Sequence, residues 1–174
     1  MKLRDAITLA EKIKAQLEPF SERIEIAGSI RRGRPEVGDV DLVILPKPGQ
    51  VAAIKDRCRQ KCAPVTDGPQ NCIFRLPMVG PFAGVQLDIF FARPATSDLL
   101  QTLPGNFGTL LICRTGSKEH NNFLVEHSKR IGLTWNPYRG VIDPEGFVLA
   151  SETEEAVFAA LDLAFVPPAS RERR

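Results

Sequence analysis

Asp39-Val40-Asp41 runs directly into the apolar stretch Leu42 to Leu45, and Asp88 interrupts a second apolar stretch, Gln86 to Phe91. On an extended strand, residues two apart leave the same face about 6.6 Å apart along the chain. Asp39 and Asp41 therefore project together, while Val40 faces the opposite way. Two carboxylates so close, beside apolar residues, push each other toward protonation. A divalent cation removes that conflict, because hard cations such as Mg²⁺ take oxygen ligands and share carboxylates with substrate phosphates. Asp88 joins the pair if its strand lies beside the first, since neighbouring strands are about 4.8 Å apart. Three carboxylates suffice for two cations about 3.5–4 Å apart, which clamp the attacking and leaving oxygens of a phosphoryl displacement. Asp88 is also placed to take a proton from the attacking hydroxyl. Taken singly, a D-x-D is a common strand end, and a lone aspartate a common ion-pair partner.

The residues before the first pair shift that balance. Gly28-Ser29 precedes an arginine-rich loop containing Arg31, Arg32 and Arg34. Backbone amides and a small hydroxyl there can cradle phosphate oxygens, and Gly28 permits close backbone approach. Arg32 can add a charge-assisted contact to a triphosphate. Cations, free amides and an arginine near one point suit a polyphosphate better than a neutral substrate.

The elements that must position these groups follow from the apolar spacing. Leu3, Ile7, Ala10, Ile13 and Leu17 predict an amphipathic helix over 2–17, stopped by Pro19. Strands are expected at 23–27, 40–45, 71–78 and 84–92, with a basic-faced helix over 50–62. Helices follow at about 96–103, 107–113 and 118–131. Beyond Gly132 the spacing predicts short strands at 133–135, 140–142 and 147–149. A last helix over 151–163 would carry a capping box, with Ser151 as cap and Glu154 reaching back. The chain of 174 residues can hold one good core or a core with an appendage.

Composition narrows the class. A net charge of +2 permits nucleic-acid binding without announcing it, since clustering matters more than the sum. The clusters are the Arg31 group, then Lys55, Arg57, Arg59 and Lys61, and finally Arg171, Arg173 and Arg174. No apolar run approaches the roughly 18 residues of a membrane span, and the N-terminus carries Asp5 and Glu11 where a signal peptide is apolar. A cytoplasmic, membrane-free protein with reduced cysteines is expected. Cys58, Cys62, Cys72 and Cys113 lack the tight ligand pairs of a structural zinc site.

G-S-x-R-R-G, then G-D-V-D, then L-D-I-F, as they stand from Gly28 to Phe90, resemble the nucleotidyltransferase superfamily that includes DNA polymerase beta. Thr115-Gly116-Ser117-Lys118-Glu119-His120-Asn121 resembles the T-G-S…N segment of family X DNA polymerases. Gly132-Leu133 to Tyr138, Asp143-Pro144-Glu145-Gly146, the Thr153 helix and Val166-Pro167-Pro168 resemble that family's C-terminal subdomain in order and spacing. The resemblance implies an α+β fold: a nucleotidyltransferase palm (1–103), with a mixed sheet packed on helices, then a small α/β thumb-like subdomain (104–174). It implies that Asp39, Asp41 and Asp88 are catalytic and hold two Mg²⁺ ions, with Mn²⁺ as the alternative. Gly28, Ser29, Arg32, Gly38, Thr115, Gly116, Ser117 and Asn121 would bind the nucleotide. Only 27 residues precede Gly28, which leaves no room for the family's lyase and helix-hairpin-helix domains. Grip on DNA is then expected from Lys55, Arg57, Arg59, Lys61, Arg171, Arg173 and Arg174 through phosphates.

The function so implied is a minimal monomeric DNA-directed DNA polymerase that fills short gaps in repair. The alternatives are a non-templated nucleotidyltransferase acting on RNA, protein or a small molecule, and a non-catalytic binding module. Nothing in the transferases requires T-G-S-K-E-H-N, and a decayed module would not keep all three acids. Departures from the family pattern also matter. Gln86 stands where polymerase beta has an arginine, and Val125 where it has an arginine that touches template. Cys113 and Arg114 replace the family's aromatic pair before T-G-S, whose tyrosine crowds the sugar's 2′ position. Rejection of ribonucleotides is therefore expected to be weak, below about 10²-fold, as for sites that do not hydrogen-bond the distinguishing hydroxyl. Primer extension with matched ribo- and deoxyribonucleotides measures the ratio, and a strong deoxyribonucleotide preference overturns the expectation.

Overall fold

The computed structural model describes residues 1–97 and 102–172. The chain divides into two compact units, Met1–Phe91 and Ala92–Arg174, whereas the sequence reading placed the boundary after residue 103.

In the first unit, α1 (Leu3–Leu17) leads through a short 3₁₀ turn to β1 (Ser21–Ile26), then α2 (Gly28–Arg31), β2 (Asp39–Pro46), α3 (Val51–Arg59), β3 (Ala63–Asp67), β4 (Asn71–Arg75) and β5 (Gln86–Phe91). The strands form one mixed sheet in the order β1-β2-β5-β4-β3. β2 and β5 are parallel, and the other neighbours are antiparallel. Period-two alternation decides which residues meet. Val40, Leu42 and Ile44 of β2 and Leu87, Ile89 and Phe91 of β5 join a core with Ala6, Leu9, Ala10 and Leu17 of α1 and Ile54 and Cys58 of α3. Full burial of each large aliphatic side chain contributes roughly 1.5–3 kcal/mol, so the apolar face holds the register. Asp39, Asp41 and Asp88 are left on the other face, half-buried. The buried stripe of α1 passes through Leu9 rather than Ile7, which is 42% exposed.

The second unit begins with a pair of two-residue strands, β6 (Thr96–Ser97) and β7 (Thr102–Leu103), which are antiparallel partners. The helix expected over 96–103 is thus replaced by strand at its described ends. The middle of that expectation, 98–101, lies outside the described residues. Then come α4 (Phe107–Thr115), α5 (Lys118–Arg130), a three-stranded antiparallel sheet of β8 (Thr134–Asn136), β9 (Gly140–Ile142) and β10 (Val148–Ala150), and α6 (Glu154–Ala160). Ile112, Leu124, Trp135, Val141, Val157, Phe158 and Leu161 form its core. α4 runs through Arg114 and ends at Gly116, whose φ of 73° is left-handed and terminates the helix.

The expected capping box is corrected. Thr153, not Ser151, caps α6, its hydroxyl accepting the Ala156 amide at 3.1 Å. Ser151 instead donates to the Gly105 carbonyl at 2.6 Å, and Glu154 meets Arg171. Two elements escaped the sequence reading. β3 is exposed at every residue, so it has no apolar alternation to betray it. The single turn of α2 sits in what read as a loop.

All four cysteines are free. Burial, which disfavours the thiolate, pushes Cys58 and Cys72 from 9.0 up to about 12. The unfolded thiols ionise above pH 9 while the folded ones keep their protons. This contribution to stability is therefore intact below pH 9 and is lost as pH rises toward 12. Alkylation of the folded chain by iodoacetamide at pH 8, read by peptide mass, should spare Cys58 and Cys72. Rapid labelling of either without unfolding overturns that expectation.

Candidate active site

Parallel pairing sets Asp41 directly opposite Asp88 and Asp39 opposite Gln86. One carboxylate oxygen from each of Asp39, Asp41 and Asp88 lies within 4.8 Å of the others. Gln86 Nε2 donates to Asp88 Oδ1 at 2.9 Å, which fixes the Asp88 carboxylate with a neutral amide. Three half-buried oxygen donors at this spacing fit a hard divalent cation such as Mg²⁺.

Gly28 closes one side of this cluster. The Ala27 amide donates to the Asp41 carbonyl at 2.9 Å, tying the start of α2 to β2. Gly28 has φ of 59°, and a Cβ there would collide with Asp41 Oδ2 and lie 2.8 Å from its Cγ. Only glycine lets the chain turn left-handed against that carboxylate. The next residue, Ser29, has a buried hydroxyl with no hydrogen-bond partner among the described residues. A hydroxyl of this kind can take a partner from outside the chain, water or a phosphate oxygen. Arg32 ends α2, half-buried, with its amide on the Gly28 carbonyl at 3.2 Å. Gly38 is exposed, and an added Cβ would meet nothing within 4 Å, so the fold does not require glycine there. Backbone bonds from Leu3 N–H to the Pro35 carbonyl (3.1 Å) and from Val37 N–H to the Met1 carbonyl (2.9 Å) hold the approach to Asp39.

The second unit contains the other expected residues. Thr115, Gly116 and Ser117 are buried. Ser117 caps α5 by accepting the His120 amide at 3.3 Å and donates to the Arg171 carbonyl at 3.0 Å. Its hydroxyl thus shapes the turn. Asn121 Nδ2 donates to the Cys113 carbonyl at 2.8 Å, while its buried Oδ1 has no hydrogen-bond partner among the described residues. Arg114 donates to the Tyr138 hydroxyl at 2.7 Å.

The expected DNA contacts fare unevenly. Arg171 is fully buried and paired with Glu154 at 2.8 Å, with Nε on the Val166 carbonyl at 2.9 Å. Its guanidinium carbon also lies 5.4 Å from the Phe158 ring centroid. With no exposed surface it cannot reach a phosphate outside the fold, and the expectation for Arg171 is corrected. Lys55 is bound to Asp67 at 2.6 Å and to the Gly68 carbonyl at 2.8 Å. Arg59 pairs with Asp56 and Asp67. Lys55 is largely covered, whereas Arg59 keeps 40% of its side chain exposed, and exposed ion pairs of this kind are weak. Arg57 and Lys61 make no ion pair among the described residues, and Arg173 and Arg174 lie outside them. No sequence signal marked the Arg171–Glu154 pair, whose members are joined only by tertiary packing.

Comparisons with known proteins agree with this geometry. Residues 110–172 match the family model described as the DNA polymerase beta thumb. Polymerase beta of Leishmania infantum, solved as a ternary P/T complex, superposes with a TM-score of 0.77 at 18% identity, over 99% of this chain and 77% of that one. No curated protein matches the sequence. The chain therefore has the mixed α+β fold of polymerase beta, and its residues 110–172 match the thumb model of that polymerase. Fold and thumb together bear out the resemblance to the family X DNA polymerases. Among the described residues no helix is long and apolar enough to cross a membrane.

Gly28→Ala should displace the Asp41 carboxylate without unfolding the unit. Binding of Mn²⁺, followed by electron paramagnetic resonance, is expected to weaken about 10–100-fold, the usual cost of disturbing a ligand's support. Wild-type Mn²⁺ affinity in a folded variant would show that Asp41 does not depend on this contact.

Proposed function

We propose that this chain is a DNA-directed DNA polymerase of the family X type, which joins nucleoside triphosphates to a primer 3′-hydroxyl and fills short gaps. The observation that carries this reading is the convergence of Asp39, Asp41 and Asp88 in a polymerase beta fold bearing a polymerase beta thumb. The thumb match favours a templated polymerase over a transferase acting on RNA, protein or a small molecule. The ternary P/T complex of the Leishmania protein suggests primer–template DNA and a nucleotide as ligands.

The chemistry is a displacement at the α-phosphorus. The 3′-oxygen forms a new P–O bond, the α–β phosphoanhydride breaks, and pyrophosphate departs with the electron pair. Asp88 accepts the proton of the attacking hydroxyl. Gln86 holds Asp88 Oδ1 and so orients the carboxylate for that transfer. The Ser29 hydroxyl donates to a phosphate oxygen, and the Arg32 guanidinium adds charge-assisted contacts. Mg²⁺ held by Asp39, Asp41 and Asp88 would supply positive charge where the phosphates carry negative charge. Asn121, whose buried Oδ1 has no hydrogen-bond partner among the described residues, is a further candidate for nucleotide recognition.

Incubation with Mg²⁺, a one-nucleotide-gapped duplex and each deoxynucleoside triphosphate in turn tests this. Only the complementary nucleotide should be incorporated, chelation should stop the reaction, and Asp88→Ala should slow it about 10²–10⁴-fold. Addition irrespective of template base would point to the transferase instead. An Asp88→Ala variant of full activity would falsify the assignment of the base.

A further inference from the structure

The first unit holds a cavity of about 600 Å³ on the face of the sheet opposite the carboxylates, between α1, α3 and the β4–β5 connection. Its volume falls within the range of ligand-binding clefts. Leu9 and Leu17 mark its extent along α1, a rise of about 12 Å. The floor is apolar and incompletely covered. Ile13, Cys62, Leu76 and Phe82 line it and pack on the core while remaining half-buried.

The rim carries charge of one sign. Among the described residues, Lys12, Arg57 and Lys61 line the cavity, and no carboxylate does. None of the three makes an ion pair among the described residues. Arg57 donates to the Gln60 side-chain oxygen at 2.9 Å. Asp56, adjacent to Arg57, is held by Arg59 at 2.6 Å. A second concavity shares Lys61, Cys62, Leu76 and Pro77 with the first and continues to Met78. Met78 and its neighbour Val79 are 75% and 79% exposed. Large apolar side chains presented beside an open apolar groove mark an interaction surface.

We infer that this groove docks an acidic amphipathic segment of a partner protein, a short helix with aliphatic anchors flanked by glutamate or aspartate. The anchors would cover Ile13, Leu76 and Phe82, and the acids would meet Lys12, Arg57 and Lys61. Helix-in-groove recognition has this division of labour, with apolar burial giving affinity and rim charges giving register and encounter rate. Nucleic acid fits less well, because phosphates satisfy the cations but leave the apolar floor in water. The inference does not depend on the chemistry at the three carboxylates, which lie on the other face of the sheet.

The test uses the full chain and a fluorescein-labelled, end-capped helical peptide of about 15 residues, with leucine at every third or fourth position and glutamate between. Anisotropy should show saturable binding, with amide shifts confined to α1, α3 and the Leu76–Phe82 connection. Lys12→Glu combined with Lys61→Glu should weaken binding about tenfold or more. Ile13→Glu, at a half-exposed position, should do likewise while circular dichroism stays unchanged. The same peptide with lysine for glutamate should not bind. Equal binding of that lysine peptide, or absence of binding by the glutamate peptide to the wild-type chain, overturns the inference. A single-stranded oligonucleotide that moves the same resonances more tightly than the peptide also overturns it and assigns the face to nucleic acid.

Discussion

Parallel pairing of β2 with β5 is the constraint on which the rest of the first unit depends. It places Asp41 opposite Asp88, so two like charges are brought together on adjacent strands with a third one pleat away. Alone, that arrangement is unfavourable. The opposite face of the same strands holds it, because Val40, Leu42, Leu87 and Ile89 are buried there almost completely. A slip of one residue would put the aspartates into the core and the aliphatic residues into water. Hydrophobic burial therefore imposes the close approach of the three carboxylates, a spacing that fits a divalent cation.

The loop before β2 is shaped by the same carboxylates. Gly28 adopts its left-handed turn against Asp41, which brings the Ser29 hydroxyl into the fold with no internal partner. The second unit treats charge differently. Glu154 receives its counter-charge from Arg171 within the chain, and the Arg171 carbonyl in turn accepts the Ser117 hydroxyl. The last described residues thus fasten the turn that ends α4. Breaking such a buried pair from one side typically costs about 3–5 kcal/mol, so this arginine belongs to the architecture of the unit.

The misreadings share a cause. Arg171 stands in a basic cluster with Arg173 and Arg174, yet a cluster along the chain says nothing about acids folded against it. Glu154 meets it inside the second unit, while a single carboxylate, Asp67, reaches both Lys55 and Arg59 from a neighbouring strand. The region 96–103 carries enough apolar residues to suggest a helix, but its described ends pair as strands. Ser151-x-x-Glu154 has the spacing of a capping box, and both side chains found stronger tertiary partners. Local pattern loses in each case where a long-range hydrogen bond or ion pair is available.

Alternation of apolar and acidic residues at 39–45 and 86–91 was enough, in the sequence alone, to put Asp39, Asp41 and Asp88 on strands with their neighbours buried. Side-chain direction on a strand follows from the pleat and needs no tertiary information. Glycine at position 28 and serine at 29 were likewise legible as a place of close approach. Which strands are neighbours, and in which register, only the folded sheet decided. That choice rests on burying the whole apolar face at once, a sum over residues remote in sequence. The same holds for the groove between α1 and α3: its cations and aliphatic residues were all visible in the chain, but their meeting on one face is a product of packing.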